Sequence, residues 1–355
     1  MKALVLAGGA GTRLRPITHT SAKQLLPVAN KPILFYGLES IHDAGIRDVG
    51  VVVGDTHEEI RAAVGDGGAW GLDVTYIRQD KPLGLAHAVL TAEDYLDGED
   101  FVLFLGDNLL LEGIGAFVER FVSDRPNCEV LLTRVKEPER FGVAELGADG
   151  RVVRLVEKPK HPVSDLALVG VYLFDRHIFE AARAIKPSGR GELEITDAIQ
   201  WLLDNDFEVH PHMVDGWWKD TGRLEDILEA NRIVLDGMES QTLGTVDEAS
   251  RLEGKVVVQA GASIEGSVIR GPAIVGEGTV VRGSYVGPFT SIYHHCLVED
   301  SEIEHSVVLE ESKIRGMRRI EDSLIGKQVE VGRSDAKPEA YRLMLGDHSR
   351  VGVIG

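Results

Sequence analysis

The chain opens as an alternation of two hydrophobic patterns. Short apolar runs, ALVLA (Ala3 to Ala7), VGVVVG (Val49 to Gly54), VTYIRQ (Val74 to Gln79) and FVLFLGD (Phe101 to Asp107), are separated by stretches with apolar residues at helical spacing. Those stretches are ILFYGLESIHDAG (Ile33 to Gly45), HEEIRAAVG (His57 to Gly65) and LAHAVLTAEDYL (Leu85 to Leu96). Runs that are apolar throughout suit strands buried on both faces, and their alternation with helices predicts an α/β fold with a mostly parallel sheet. Ligands in such folds sit outside the carboxyl ends of the strands, where LAGG and FLGD both fall.

From about Arg251 the helical pattern gives way to single apolar residues recurring every five or six positions. Val258, Ile264, Ile269, Val275, Val281, Val286, Ile292, Leu297, Ile303, Val308, Ile314, Ile320, Ile325 and Val331 form the series, with Gly, Ser, Glu or Arg between them. So short a step predicts stacked triangular coils of a parallel β-helix, and it resembles the hexapeptide-repeat, left-handed β-helix family. A sandwich of short strands would instead show alternating pairs and hairpin turns. LEDILEANRIVLD, Leu224 to Asp236, has helical spacing and connects the two parts. The expected division is a first domain over 1–237, the β-helix over 251–333 and a tail over 334–355 that gives little signal.

Composition narrows the chemistry. A chain of 355 residues with 43% hydrophobic residues is long enough for two domains. Its formal charge of −19 argues against a protein that coats nucleic acid, so any phosphate binding falls to local basic residues. Cys128 and Cys296 form no CxxC pair and read as buried small hydrophobes. The first apolar run turns into glycines instead of continuing as a signal-peptide core, and no window reaches the ~18 apolar residues of a membrane span. A cytoplasmic protein is expected.

The loop after the first strand, LAGGAGTRL (Leu6 to Leu14), is glycine-rich and ends in a cation. A Walker A loop would need Gly-Lys-Ser/Thr, and no lysine is present. A dinucleotide fingerprint starting at Gly9 would need glycine where Leu14 stands. What remains is a backbone whose N–H groups can wrap a triphosphate, with Arg13 able to hold a leaving pyrophosphate. A second cation, Lys23, follows in SAKQLLPVANKP (Ser21 to Pro32). Asp107 ends an apolar strand, and Asp220, in WWKDTG, is a second carboxylate distant in sequence. Two carboxylates that leave most coordination positions to water and phosphate oxygens suit Mg²⁺, and no histidine cluster offers a softer site.

LAGGAGTRL together with KQLLP resembles the sugar-1-phosphate nucleotidyltransferase family. Further blocks follow in that family's order: QDKPLGLAHA (Gln79 to Ala88), FLGDN (Phe104 to Asn108), PERFG (Pro138 to Gly142), EKP (Glu157 to Pro159), VGVY (Val169 to Tyr172), GELEITD (Gly191 to Asp197) and WWKDTG (Trp217 to Gly222). KQLLP and GELEITD favour the glucose-1-phosphate thymidylyltransferase branch. The resemblance implies a Rossmann-like nucleotidyltransferase domain that joins dTTP to glucose 1-phosphate with Mg²⁺ held by Asp107 and Asp220. It implies catalytic roles for Arg13, Lys23 and Lys158. Nucleotide contacts would come from Leu6, Ala7, Gly8, Gly9, Gly11, Thr12, Arg13, Gln24, Gln79, Pro82, Leu83 and Gly84. Sugar-phosphate contacts would come from Asn108, Gly142, Glu157, Lys158, Leu168, Glu192 and Trp218. Phe141, Leu168 and Lys219 stand where many relatives have tyrosine, valine and leucine.

The β-helix leaves a choice open. It matches long forms of that branch, in which it would pack subunits of a homo-oligomer, and it also matches the second domain of bifunctional uridylyltransferase/acetyltransferases. The latter need a catalytic histidine at a coil edge, for which His294, His295 and His305 are the candidates in the repeats. About five turns with irregular steps look short for that activity, so the packing role is favoured. A non-catalytic regulator that only binds a nucleotide sugar is disfavoured, because Arg13, Lys23, Asp107 and Asp220 are all present.

Overall fold

The protein is described from a computed structural model that covers residues 1–9, 11–19, 21–214 and 216–333, without the side chains of Thr12 and His19. The expected C-terminal tail, 334–355, lies outside the described residues. Among the described residues two compact units are present: Met1–Glu239 with Phe289–Ser291, and Ser240–Pro288 with 292–333.

The first unit is built on one nine-stranded sheet. Its strands are β1 (Lys2–Leu6), β2 (Asp48–Val53), β3 (Asp73–Arg78), β4 (Phe101–Leu105), β6 (Cys128–Arg134), β7 (Gly142–Leu146), β8 (Val152–Glu157), β9 (Leu166–Phe174) and β10 (Val209–Met213), while β5 (Asn108–Leu110) lies off it. The order is β8-β7-β9-β4-β1-β2-β3, with β6 pairing both β9 and β10. The half that carries both predicted strand-end loops, β3-β2-β1-β4, is parallel. Beyond it, β9 runs antiparallel to β4, β6 and β7. The sheet is therefore more mixed than the apolar runs suggest, because a strand buried on both faces reads the same in either direction.

Side-chain alternation along each strand feeds two separate cores. Leu4 and Leu6 of β1 join Phe101 and Leu103 of β4 on one face, whereas Ala3 and Val5 join Val102 and Phe104 on the other. The first face is covered by α3 (Leu85–Thr91), α5 (His177–Ala184) and α6 (Ile195–Asp204), the second by α1 (Ile33–Asp43), α2 (His57–Val64) and α4 (Gly115–Asp124). Helix α2 shows why these stretches start and stop where they do. Glu58 and Glu59 in its first turn favour the positive end of the helix dipole, and Gly65, at φ +65°, ends it. Both cysteines are buried and free.

The second unit stacks short parallel strands into three sheets of six, six and four strands, a three-faced parallel β-helix. Its strands begin at Gln241–Thr242, ahead of the regular recurrence. Val258, Ile264, Ile269, Val275, Val281, Val286, Ile292, Ile303, Val308 and Ile314 form the dry interior, while Ile320, Ile325 and Val331 are partly buried against it. Leu297 does not belong to that series. Val298, aligned with interior Val281 and Ile314, takes the place, and Leu297 points to the opposite side of its strand. The coils are also tied at a corner by a column of serines that the hydrophobic pattern does not reveal. Backbone N–H groups of Ser267, Ser284 and Ser301 each donate to the hydroxyl of the serine one coil earlier, at 3.0–3.1 Å and a spacing of 17 residues.

One group in the first unit works against stability. Glu129 of β6 is fully buried, and neither carboxylate oxygen has a hydrogen-bond partner. Arg120 and His212 lie 3.9 and 3.5 Å away. Burial, reinforced by Asp124 and only partly offset by Arg120, pushes its carboxyl from 4.5 to about 7. Between those two values the unfolded chain loses the proton while the folded chain keeps it, so folding stability falls as pH rises through that window. Glu129→Gln is expected to remove this fall, which is on the order of 2 kcal/mol, and to be the more stable protein at pH 8. Urea titrations of both proteins at pH 5 and pH 8 measure it, and parallel pH profiles would refute it.

Candidate active site

The carboxyl ends of β1 and β4 open onto a cleft of about 370 Å³ within the first unit. Its floor is an ion pair between Lys23 and Asp107, both largely buried. The glycine-rich loop lies directly over the lysine: a Cβ on Gly9 would stand 3.0 Å from Lys23 Cε. The loop is fastened by Thr18, whose hydroxyl donates to Gly11 O at 2.7 Å. Gln24 is buried beside it, and its side-chain carbonyl has no hydrogen-bond partner. A buried amide oxygen left without a donor is costly unless a ligand supplies one.

Asp220 reaches the same floor through a strand pairing that sequence spacing does not predict. Trp218–Asp220, here β11, runs antiparallel to β5 with Asp220 opposite Asn108. The hydroxyl and the N–H of Thr221 both donate to Asp107 O, at 2.7 and 3.1 Å. Burial tends to raise the Asp107 carboxyl, but Lys23 and a hydrogen bond from Asn108 outweigh it and hold the group below its ordinary range. Burial and the charge of Asp107 push Asp220 up to about 6, against the pull of Lys23 and Arg13. Two carboxylates thus share a desolvated floor with less positive charge than they can use.

At one end of the cleft, the Gln79 side-chain nitrogen donates to Gly84 O at 3.3 Å and contacts His87 Nδ1 at 2.9 Å, which orients the amide. The turn over Pro82 to Gly84 is zippered to the GELEITD segment, with Leu193 N–H donating to Leu83 O at 2.7 Å. Gly84 takes φ +107°, and a Cβ there would stand 2.4 Å from Leu193 O, so no other residue fits. At the other end, Glu157 accepts from Thr196 Oγ1 at 2.7 Å and from Arg190 at 3.2 Å, and Lys158 lies 3.1 Å from it. Lys158 holds φ +41°, a left-handed conformation rare for a side-chain-bearing residue.

The cleft gathers most of the residues singled out from sequence. Leu6, Gly8, Gly9, Arg13, Lys23, Gln24, Gln79, Pro82, Gly84, Asp107, Asn108, Gly142, Glu157, Lys158, Leu168, Glu192, Trp218 and Asp220 all line it. Ala7, Gly11 and Leu83 are not among its lining residues. Ala7 is buried behind the loop, and Leu83 contributes its carbonyl to the turn. The Thr12 side chain lies outside the described residues. Sequence reading missed Arg140, Tyr172, Arg190 and Glu194, which also line the cleft. Arg140 and Arg190 sit inside or beside quoted blocks, PERFG and GELEITD, and an unpaired-looking cation in such a block was the available signal. Among the described residues no group of three or more His, Cys, Asp or Glu is poised to hold a metal ion, and no helix is long and apolar enough to cross a membrane.

A cleft with Lys158 and Arg190 at one end, and Lys23 beside two carboxylates on its floor, can receive phosphate-bearing reactants. A profile of the family described as Nucleotidyl transferase matches residues 2–237. A Streptomyces griseus protein named glucose-1-phosphate thymidylyltransferase is 59% identical over 99% of both chains, and one of the same name from Streptomyces antibioticus is 58% identical over the same shares. A solved structure of a Bacillus anthracis chain assigned as glucose-1-phosphate thymidylyltransferase, in complex with a sucrose, is 37% identical with a TM-score of 0.62; the match covers 66% of this chain and 94% of that one. The chain belongs to the nucleotidyl transferase family and is a nucleotidyltransferase.

The Gly84 turn provides a direct check on the cleft. Gly84→Ala is expected to weaken nucleoside triphosphate binding at least tenfold, because the turn must withdraw from Leu193, and to cost roughly 2 kcal/mol of stability through the forced positive φ. Calorimetric titration with dTTP and a urea melt measure both. Unchanged affinity would mean that the turn does not shape the nucleotide site.

Proposed function

We propose that the protein transfers a thymidylyl group from dTTP to α-D-glucose 1-phosphate, giving dTDP-glucose and pyrophosphate. The observation that carries this reading is the likeness, over 99% of both chains, to relatives named for that activity. The oxygen of the sugar phosphate attacks the α-phosphorus of dTTP while pyrophosphate leaves in line. Both reactants are anions, so the reaction depends on positioning and on charge placed where the transition state needs it. The glycine-rich loop, Arg13 and Lys23 hold the triphosphate. Lys158, with Arg190 beside it, receives the sugar phosphate, and Glu157 and Glu192 are placed to accept from sugar hydroxyls. The Gln79 amide, its nitrogen held by Gly84 and His87, presents its carbonyl to the N3–H of thymine. The nucleophile is already ionised, so no protein nucleophile or covalent intermediate is required.

The carboxylates of Asp107 and Asp220 fit a magnesium ion. Their shared burial, and the rise of the Asp220 carboxyl beside Asp107, mark a place short of positive charge. Two carboxylates leave coordination positions for water and phosphate oxygens, as Mg²⁺ prefers. Bound there, the ion would neutralise charge on the reacting phosphates.

Two experiments test the reading. Incubation with Mg²⁺, a panel of nucleoside triphosphates and a panel of hexose 1-phosphates, followed by released pyrophosphate, should rank dTTP with glucose 1-phosphate first. Preference for another pair would overturn the substrate assignment. Asp107→Asn and Asp220→Asn should each lower kcat a hundredfold or more, roughly 3 kcal/mol of transition-state stabilisation. Near-normal turnover by either variant with Mg²⁺ would rule out the two-carboxylate site.

A further inference from the structure

The wall at the sugar end of the cleft is not self-supporting. Phe141 and Trp218, both lining residues, meet edge to face with ring centroids 5.4 Å apart. Trp218 Nε1 donates to Asn108 Oδ1 at 2.6 Å, and Asn108 Nδ2 donates to Asp107 Oδ1 at 3.2 Å, so the wall is wired to the floor. Behind the wall stands Asp226, in the first turn of the helix Leu224–Gly237 and only 5% exposed. Its carboxylate takes a hydrogen bond from Arg140 at 3.3 Å through one oxygen and lies 3.1 Å from Lys219 Nζ through the other. Arg140 immediately precedes Phe141 and lies with its guanidinium over that ring, 5.4 Å from the centroid. Lys219 lies between Trp218 and Asp220 in β11. Neither Asp226 nor Lys219 lines the cleft.

One buried carboxylate therefore clamps two cations from separate segments, and each cation is the chain neighbour of a wall residue. We infer that Asp226 is a positioning residue for the sugar-phosphate subsite, fixing Phe141 through Arg140 and Trp218 through Lys219. The inference rests on the thymidylyl-transfer reading and assigns that reaction a residue outside the cleft. Each cation keeps an exposed second partner, Glu137 for Arg140 and Glu229 for Lys219. Loss of Asp226 thus loosens the wall while leaving each cation one paired carboxylate, and the nucleotide end, built from other segments, stays in place.

The test is a kinetic split in the full-length chain. Initial rates of pyrophosphate release, with glucose 1-phosphate and dTTP varied in turn, should show Asp226→Ala raising KM for the sugar phosphate at least tenfold and KM for dTTP less than twofold. Asp226→Asn, which keeps the size and one acceptor, should show a smaller rise, and it carries the same comparison if the alanine variant does not fold. Glu137→Gln, at an exposed partner, should leave both KM values within twofold. Equal rises in both KM values would mean general damage, and no rise in a folded variant would mean no positioning role; either overturns the inference. Failure of the unaltered protein to release pyrophosphate from this pair would sink the reaction itself. The positioning role would then be judged by calorimetric affinity for glucose 1-phosphate alone, and an unchanged affinity in Asp226→Ala would overturn it.

Discussion

The contact between Lys23 and Asp107 organises the first unit of this protein. A lysine from the segment after the loop and an aspartate from the end of β4 meet below the glycine-rich loop, both withdrawn from water. A buried pair of this kind is poor as a source of stability, because desolvation consumes most of the attraction. Its value is chemical. On the proposed reading it keeps a cation and a carboxylate where anionic reactants arrive, and it leaves Asp220 beside them with an unmet demand for positive charge.

That demand explains why the cleft is assembled from so many segments. No single strand or helix can present five cations and several carboxylates to one small volume without repulsion among its own neighbours. The sheet solves this by bringing strand ends together, and the loops are then held by hydrogen bonds between backbones, as where Leu193 closes on Leu83. One of the carboxylates that line the cleft serves as an anchor. Glu194, buried, holds Arg190 by contacts of 2.9 Å to each oxygen, and so fixes the cation that reaches Glu157.

The β-helix uses a different economy. Its interior takes one or two apolar side chains from most strands, and its corners are bound by serine hydroxyls and residues at positive φ, including His295 and His305. Outside, opposite charges stack at the coil spacing: Arg282 bonds Glu265 at 2.8 Å and Glu299 at 3.0 Å. Such exposed pairs contribute little each. They do prevent like charges from facing one another up the stack, which keeps one register preferred over its neighbours.

The sequence alone determined whatever depends on local burial. The strand and helix stretches of the first unit, the turn of the coils and the buried cysteines are all legible, because side-chain periodicity records which face of an element is dry. Leu297 marks the limit of that record: with apolar residues at both 297 and 298, only the register against Val281 and Ile314 decides which one is interior. Strand direction was not legible either, since β9 is apolar throughout whichever way it runs. Above all, the sequence could nominate Asp107 and Asp220 only by type and resemblance. It took the antiparallel pairing of β5 with β11 to set them side by side, and the helix Leu224–Gly237 to bring Asp226 behind Arg140 and Lys219. Polar contacts between distant segments leave no periodic trace, because each partner alone looks like an ordinary solvated residue until the fold removes its water.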